Sequence, residues 1–455
     1  MLRHLLKDLC RQLPPALLHL SREQPQGSEF RLHTICVKRR RLKKEGSLMK
    51  LFALPLWAAT FAVLFSTTFT QAQQPHKAAQ HEKVLYTFRK ASVGFIPSAL
   101  LRDAKGNLFG TNFWGGNTKG ICSEYRGCGT VFELTATGKL IVLHTFDWSD
   151  GANPYNALIQ DANGTLYGTA LRGGSYSYGA IFKISPAGKF TLLHSFNLAT
   201  EGGGPYSALS MDAQGNLYGA AGTYTNAGEI FEFTTAGKLE VLYKFAGGID
   251  GYGPSGVIPD NEGNLYGATG IGGDLGCRLN DDGCGVLYKL DINSGVETIL
   301  YSFHGDGDGA FPSALIRDRA GNLYGTTGSG ATNGNIFKLT AAGAFNLLYS
   351  FDGGDGDGPH GVMKGPYGYL HGTTVIGGNG KCNYGLGCGL VFQLSPRGEE
   401  SVSYNFQGGP DGAYPTVGVV EDSNYNLYGT TQQGGDSNCT VYGQGCGVIF
   451  EITAN

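Results

Sequence analysis

The tetrad Asn-Leu-Tyr-Gly, or a close variant of it, recurs seven times, with its leucine at Leu108, Leu166, Leu217, Leu265, Leu323, Leu370 and Leu427. The spacings are 58, 51, 48, 58, 47 and 57 residues. A chain that repeats at this interval builds one supersecondary unit many times and stacks the copies. Each copy holds four short runs, which in the fifth are Ser313–Asp318, Asn322–Thr327, Asn335–Thr340 and Phe345–Phe351. Aromatic and branched residues fill these runs and Gly, Asp or Asn bound them, the pattern of strands joined by tight turns. No stretch beyond residue 80 shows an extended helical period with caps. The expected fold is therefore all-β: a seven-bladed β-propeller over residues 84–455, with four antiparallel strands per blade.

The two ends of the repeat fit a closed ring. Val84–Phe88 reads as a fourth strand without its first three, and Gly447–Thr453 as a third strand without its fourth. Pairing the two closes the ring and removes two open sheet edges. Glycine, at 74 of 455 residues, is about twice its usual share, which suits many tight turns. In "GNLYGTT" (Gly321 to Thr327), Leu323 and Tyr324 should face opposite sides of a blade packed on both sides, and Gly325 should mark a close backbone approach. The Asp of the preceding turn recurs as Asp103, Asp161, Asp212, Asp260 and Asp318, with the sixth turn lacking it and the seventh shifted. Its expected role is to accept a backbone N–H while Gly takes positive φ.

Residues 37–72 have a different character. A basic run (Val37 to Lys50) precedes an apolar run (Leu51 to Phe69), and Ala72 offers a cleavage point. This is the form of a secretory signal peptide, residues 49–72, with 73–83 as a linker. A membrane anchor is the alternative, but Thr67, Thr68 and Thr70 weaken the span. Residues 1–48 are unusual in front of such a signal, and a translation start at Met49 is expected. A secreted monomer follows, extracellular or periplasmic, with no membrane span in the mature chain. The net charge of −3 points away from nucleic acid.

Beyond the leader, eight cysteines form four close pairs: Cys122/Cys128, Cys277/Cys284, Cys382/Cys388 and Cys439/Cys446. Each lies in an extra block of about eight residues between the second and third strands of blades 1, 4, 6 and 7. Disulfides within each loop are the favoured reading in an exported chain. Zinc prefers two to four intervening residues and further ligands, and no His lies in any of these loops. Pairs across neighbouring blades stay open. Strand alternation puts these loops on one face with the Asp-Gly loops that precede each first strand, and this face is the expected working face.

The whole unit, from the Asp-Gly loop through "GNLYGTT" to "LLYSF", resembles the GloVer tandem repeat of secreted bacterial proteins, some of the choice-of-anchor type. The resemblance covers residues 83–455 and implies export and a propeller-like repeat. It implies no catalytic residue, because no activity of that family is settled. The chain stops at Asn455, directly after the last strand, without the sorting tail of anchored members.

Two sets of residues are candidates for chemistry. Asp306/Asp308 and Asp355/Asp357 alternate with glycines and offer calcium ligands, although neither loop has a full acidic ladder or a closing Glu. First strands line the channel of a propeller, and here they place Asn156, Ser207, Ser255, Ser313 and His360, with Ser98 and the less well aligned Val417, in a ring at its mouth. Such a ring suits a polar ligand such as a sugar, against the simpler reading of a water-filled channel. His144 and His194 replace a fourth-strand tyrosine, and His371 replaces the tyrosine of the tetrad. No nucleophile elbow, zinc helix, P-loop or sialidase-type box is present. The expectation is a non-enzymatic binding or surface-interaction module for a polysaccharide or a protein. The alternative is a lyase- or lactonase-like enzyme acting on a carbohydrate-like substrate at the channel mouth, with Ca²⁺ as its only candidate cofactor.

Overall fold

The computed structural model describes residues 81–453 apart from 223–225, 278–281, 314, 330–332 and 440–444. The expected leader and signal peptide, and most of the expected linker, lie outside the described residues. Seven antiparallel sheets follow one another along the chain, each four strands across. In blade 5 the first strand comes in two pieces, Ala310–Pro312 and Ile316–Arg317. Both pair with Leu323–Ser329, which pairs with Asn335–Leu339, which pairs with Phe345–Ser350. The ring closes as expected: His81–Thr87 pairs antiparallel with Val448–Thr453, Val84 opposite Phe450.

The tetrad is explained by packing across the blade. Its glycine lies opposite an aromatic residue of the third strand in every blade: Gly110–Phe132, Gly168–Phe182, Gly219–Phe231, Gly267–Tyr288, Gly325–Phe337, Gly372–Phe392 and Gly429–Phe450. The tip of the ring reaches the glycine. A Cβ on Gly325 would sit 2.7 Å from Phe337 Cζ and 2.6 Å from Leu315 Cδ2. Side chains, not the neighbouring backbone expected from sequence, therefore exclude a larger residue at Gly325. Each of these rings also meets, edge to face, the phenylalanine that ends the previous blade's fourth strand. Phe303 and Phe337 are 5.3 Å apart, and the ring-closing pair Phe88 and Phe132 are 5.5 Å apart. Such pairs contribute about 0.5–1.5 kcal/mol each beyond area burial.

The turn aspartates act as expected and do more. Asp318 Oδ1 accepts from the amides of Ala320 and Asn322, both at 3.0 Å, and Oδ2 accepts from Tyr324 Oη at 3.2 Å. The seventh turn is not shifted. Asp422 makes the same bonds to Asn424, Asn426 and Tyr428, and Tyr425 takes the glycine's place with φ 68°. At three blade interfaces a cation from the next first strand covers the tetrad tyrosine and pairs with this Asp. Lys364 Nζ lies 2.9 Å from Asp318 and 4.9 Å from the Tyr324 ring; Arg317 and Arg102 do the same at Asp260/Tyr266 and Asp422/Tyr428. Burial opposes ionisation of Asp318, but bonds from Asn322 and Lys364 outweigh it and hold its pKa well below the carboxylate range.

Candidate functional site

The loop face is built as the strand order requires. All four disulfides form within their own loops, Cys122–Cys128, Cys277–Cys284, Cys382–Cys388 and Cys439–Cys446. Each loop touches the loop that leads into the next blade, as where Tyr125 stacks on Trp148 at 4.9 Å and Gln407 Nε2 donates to Asn379 Oδ1 at 2.9 Å. A second coupling was not seen in the sequence. Every blade has a proline where its first strand begins, and the residue before it has positive φ or is glycine. After a blade without cysteines that residue is Gly204, Gly253 or Gly358; after a cysteine blade it is Ile96, Asn153, Phe311 or Tyr414, with φ of 55–59°. A left-handed conformation is costly for such residues. Three of the side chains pack with the preceding disulfide, and Asn153 Nδ2 donates to Phe113 O at 2.9 Å beside it.

The Asp-Gly loops are tied to the fourth strands. Asp308 accepts from Tyr301 Oη at 2.9 Å and from the amide and Nδ1 of His304, while Asp355 accepts from Tyr349 Oη and the Asp352 amide. His144 and His194 fill the tyrosine's place and bond Asp150 at 2.7 Å and Glu201 at 2.9 Å. Asp357 begins the first strand of blade 6 and is separate from Asp355's tyrosine, and Asp306 is exposed. Among the described residues no group of three or more His, Cys, Asp or Glu is placed to hold a metal ion.

The polar groups of the expected channel ring are engaged within the fold. Ser98 and Ser313 share hydrogen bonds of 2.7 Å with Thr111 and Thr326, and Asn156 Nδ2 donates to Thr169 Oγ1 at 3.2 Å. Ser207 accepts from the Ala220 amide at 2.8 Å, and Ser255 donates to Ala268 O at 3.2 Å. Second-strand threonines also latch neighbouring blades, Thr373 to Val417 O and, across the closure, Thr430 to Ser98 O, each at 2.9 Å. His360 differs. It is exposed, yet partial desolvation by the surrounding protein holds its pKa below the ordinary imidazole range.

The seven-fold pattern is broken most on the loop face of blades 1 and 2. The only tryptophans among the described residues, Trp114 and Trp148, both stand there. Arg172 lies 4.8 Å over the ring of Tyr125, whose ring stacks on Trp148. Arg126 lies 5.2 Å over Trp114, and Phe113 links Trp114 to Tyr155 through ring contacts of 5.5 and 5.7 Å. Tyr155, Tyr176 and Tyr178 are exposed at 41%, 55% and 38%. Trp148, Arg126 and Ser177 hold φ of 79°, 59° and 65°, and Trp148 Nε1 donates to Ser177 Oγ at 3.2 Å. Left-handed backbone at a bulky residue is maintained only where its surroundings fix it, and such positions concentrate at working sites. Sequence reasoning missed this cluster. Its one signal was that both tryptophans outside the leader belong to one copy of the repeat, Trp114 at the end of its second strand and Trp148 just after its fourth.

The profile of the Gloeobacter/Verrucomicrobia repeat matches residues 63–278 and again 277–455. The chain belongs to this family. The two matches meet at the cysteine loop of blade 4, so each match spans several blades. No curated protein matches the chain in sequence. Among solved structures it is similar to a catalytically inactive virginiamycin B lyase from Staphylococcus aureus, with TM-score 0.53, 14% identity, 82% of this chain and 99% of that one. It is also similar to the extracellular domain of what is described as a hybrid two component system from B. thetaiotaomicron, with TM-score 0.51, 13% identity, 82% of this chain and 41% of that one. At these identities the likeness is one of fold.

Proposed function

We propose that this protein is an exported, non-enzymatic binding module that engages a polar polymer or a partner protein through its loop face. The observation that carries this reading is the aromatic and arginine cluster of blades 1 and 2. It departs from the repeat, stands on a disulfide-closed loop and holds three residues in left-handed backbone. A rigid, pre-shaped surface loses little freedom on binding. The four disulfides agree with an oxidising compartment. A thermal-shift screen against Ca²⁺, EDTA and a glycan panel, with capture of exported proteins alongside, tests the reading. The expected result is a shift or a capture that Tyr155→Ala/Tyr176→Ala abolishes while the melting temperature of the free protein holds. A ligand that binds the double variant unchanged refutes it.

A second reading, an enzyme acting on a carbohydrate-like substrate at the channel mouth, draws on His360. A channel imidazole that stays neutral at pH 7 is able to accept a proton. Release of new sugar ends by the protein, lost in His360→Ala, would favour this reading.

A further inference from the structure

We infer that the blade 1–2 surface is the seat of an acidic oligosaccharide, a chain of sugar rings bearing carboxylate groups. This rests on the loop-face reading above and narrows it to one class of ligand. The first argument is size. A stable protein interface needs about 20–30 residues a side, whereas the cluster amounts to a handful of rings and two guanidinium groups. That footprint matches a few sugar units. The second argument is surface chemistry. Tyr155, Tyr176 and Tyr178 present ring surface to solvent, which suits the apolar C–H face of a pyranose while the phenol hydroxyl meets its polar edge.

The third argument is charge. Arg172 rests on Tyr125 and, among the described residues, has no ion-pair partner. A guanidinium placed on a ring keeps its in-plane N–H fork, the geometry that takes a carboxylate in bidentate fashion. Arg126, which follows Tyr125 inside the same disulfide ring, brings a second cation over Trp114. Two nearby acids are already engaged. Asp147 accepts from the Ser149 amide at 3.0 Å and hydroxyl at 2.7 Å, and Asp150 is bonded to His144 at 2.7 Å. Glu124 is exposed, and it is the only carboxylate within the Cys122–Cys128 ring.

Intrinsic fluorescence tests this directly, since Trp114 and Trp148 both lie in the cluster and the third tryptophan, Trp57, falls in the segment expected to be removed on export. The probe is an oligogalacturonate of three to six units, titrated beside a neutral maltohexaose and a polyglutamate. The expected result is a saturable change in emission with the oligogalacturonate alone. Arg172→Gln should weaken it at least tenfold, and Glu124→Gln should tighten it several-fold. An equal response to maltohexaose overturns the assignment of acidic sugars, and an equal response to polyglutamate reduces the surface to a charge patch. Unchanged binding by Arg172→Gln overturns the proposal as well. If no oligosaccharide registers while another ligand still needs Tyr155 and Tyr176, the sugar proposal fails and the loop-face reading stands.

Discussion

Replacing Gly325 with alanine tests whether the tetrad is scaffold. The added Cβ would lie 2.7 Å from Phe337 Cζ and 2.6 Å from Leu315 Cδ2. Neither group has room to retreat: Phe337 is fully buried, Leu315 is buried, and Phe303 stands 5.3 Å beyond the Phe337 ring. Overpacking a tight core costs about 1–3 kcal/mol, and this site belongs at the upper end. An unfolding entropy of about 2.1 cal/mol/K per residue over roughly 370 residues makes 3 kcal/mol a fall of about 4 °C in melting temperature. Gly343→Ala is the control. There φ is 85° and nothing lies within 4 Å of the new methyl, so it carries backbone strain alone, about 1 kcal/mol. The decisive measurement is a double-mutant cycle by calorimetry with Phe337→Leu, which makes room above the glycine. The double variant should be more stable than the sum of the single effects by 1 kcal/mol or more, an order set by contacting pairs. Additive effects, or a Gly325→Ala variant within about 0.5 kcal/mol of the parent, would refute the ring-over-glycine account.

Two further outcomes follow from the blade interfaces. Glu82, Glu297 and Glu400 each have a buried carboxyl oxygen without a hydrogen-bond partner, and burial together with a nearby aspartate (Asp411, Asp250, and Asp355 with Asp352) pushes each pKa up to about 7. Tyr404, Tyr243 and Tyr349 belong to the same clusters, and Tyr288 also lies near Glu297. The native state therefore holds these protons more tightly than the unfolded chain, so stability is greatest below about pH 4.5 for this contribution and falls as pH rises to about 7. After solvent screening the loss is about 1 kcal/mol per site. Urea midpoints from pH 5 to 8 should show the fall, and Glu297→Gln should reduce it; an unchanged slope in that variant sinks the assignment. Lys364→Met keeps the aliphatic cover on Tyr324 but removes the partner of Asp318. It should destabilise by about 1 kcal/mol at low salt and less at 1 M NaCl, since the pair is partly exposed. A loss independent of salt would point to packing instead.

The blade number, the strand order, the ring closure and the four disulfides were legible because each follows from the period, the alternation of strands or the local spacing of cysteines. What the period does not carry is the direction in which a side chain looks across a blade or between blades. The motif could be read as scaffold, yet the reason for Gly325 was misplaced, since the ring above it comes from Phe337, ten residues beyond the motif and one strand over. The first-strand serines were picked out as candidates, but not the second-strand groups that take up their hydroxyls, Thr111 for Ser98 and Thr326 for Ser313. The aromatic cluster was harder still. Tyr125, Trp148 and Arg172 are unremarkable apart in sequence, and they meet because a cysteine loop, an Asp-Gly loop and the next blade converge on one face.

The residue before each blade's proline shows how the copies constrain one another. A glycine there is the easy solution for a left-handed backbone. Blades 4 and 6 use it, at Gly253 with φ 66° and Gly358 with φ 62°, while Gly204 of blade 3 lies outside the left-handed region; all three follow a blade without cysteines. In the other four, a larger residue accepts the strain at the point where a disulfide loop needs cover. Phe311 packs with Cys277 and Cys284, Tyr414 with Cys382 and Cys388, and Ile96 with Cys439 and Cys446. The strain is thus a local cost offset by apolar burial, and each disulfide loop is stiffened from two sides, by its own bond and by the next blade. Blade 1 differs in that Asn153 reaches its loop through hydrogen bonds to Phe113 O and Gly127 O, leaving its aromatic side chains to one another and to the surface. The same loop, met by a polar residue where the others meet an apolar one, presents Tyr125 and Arg126, and this is where the face departs most from its own repeat.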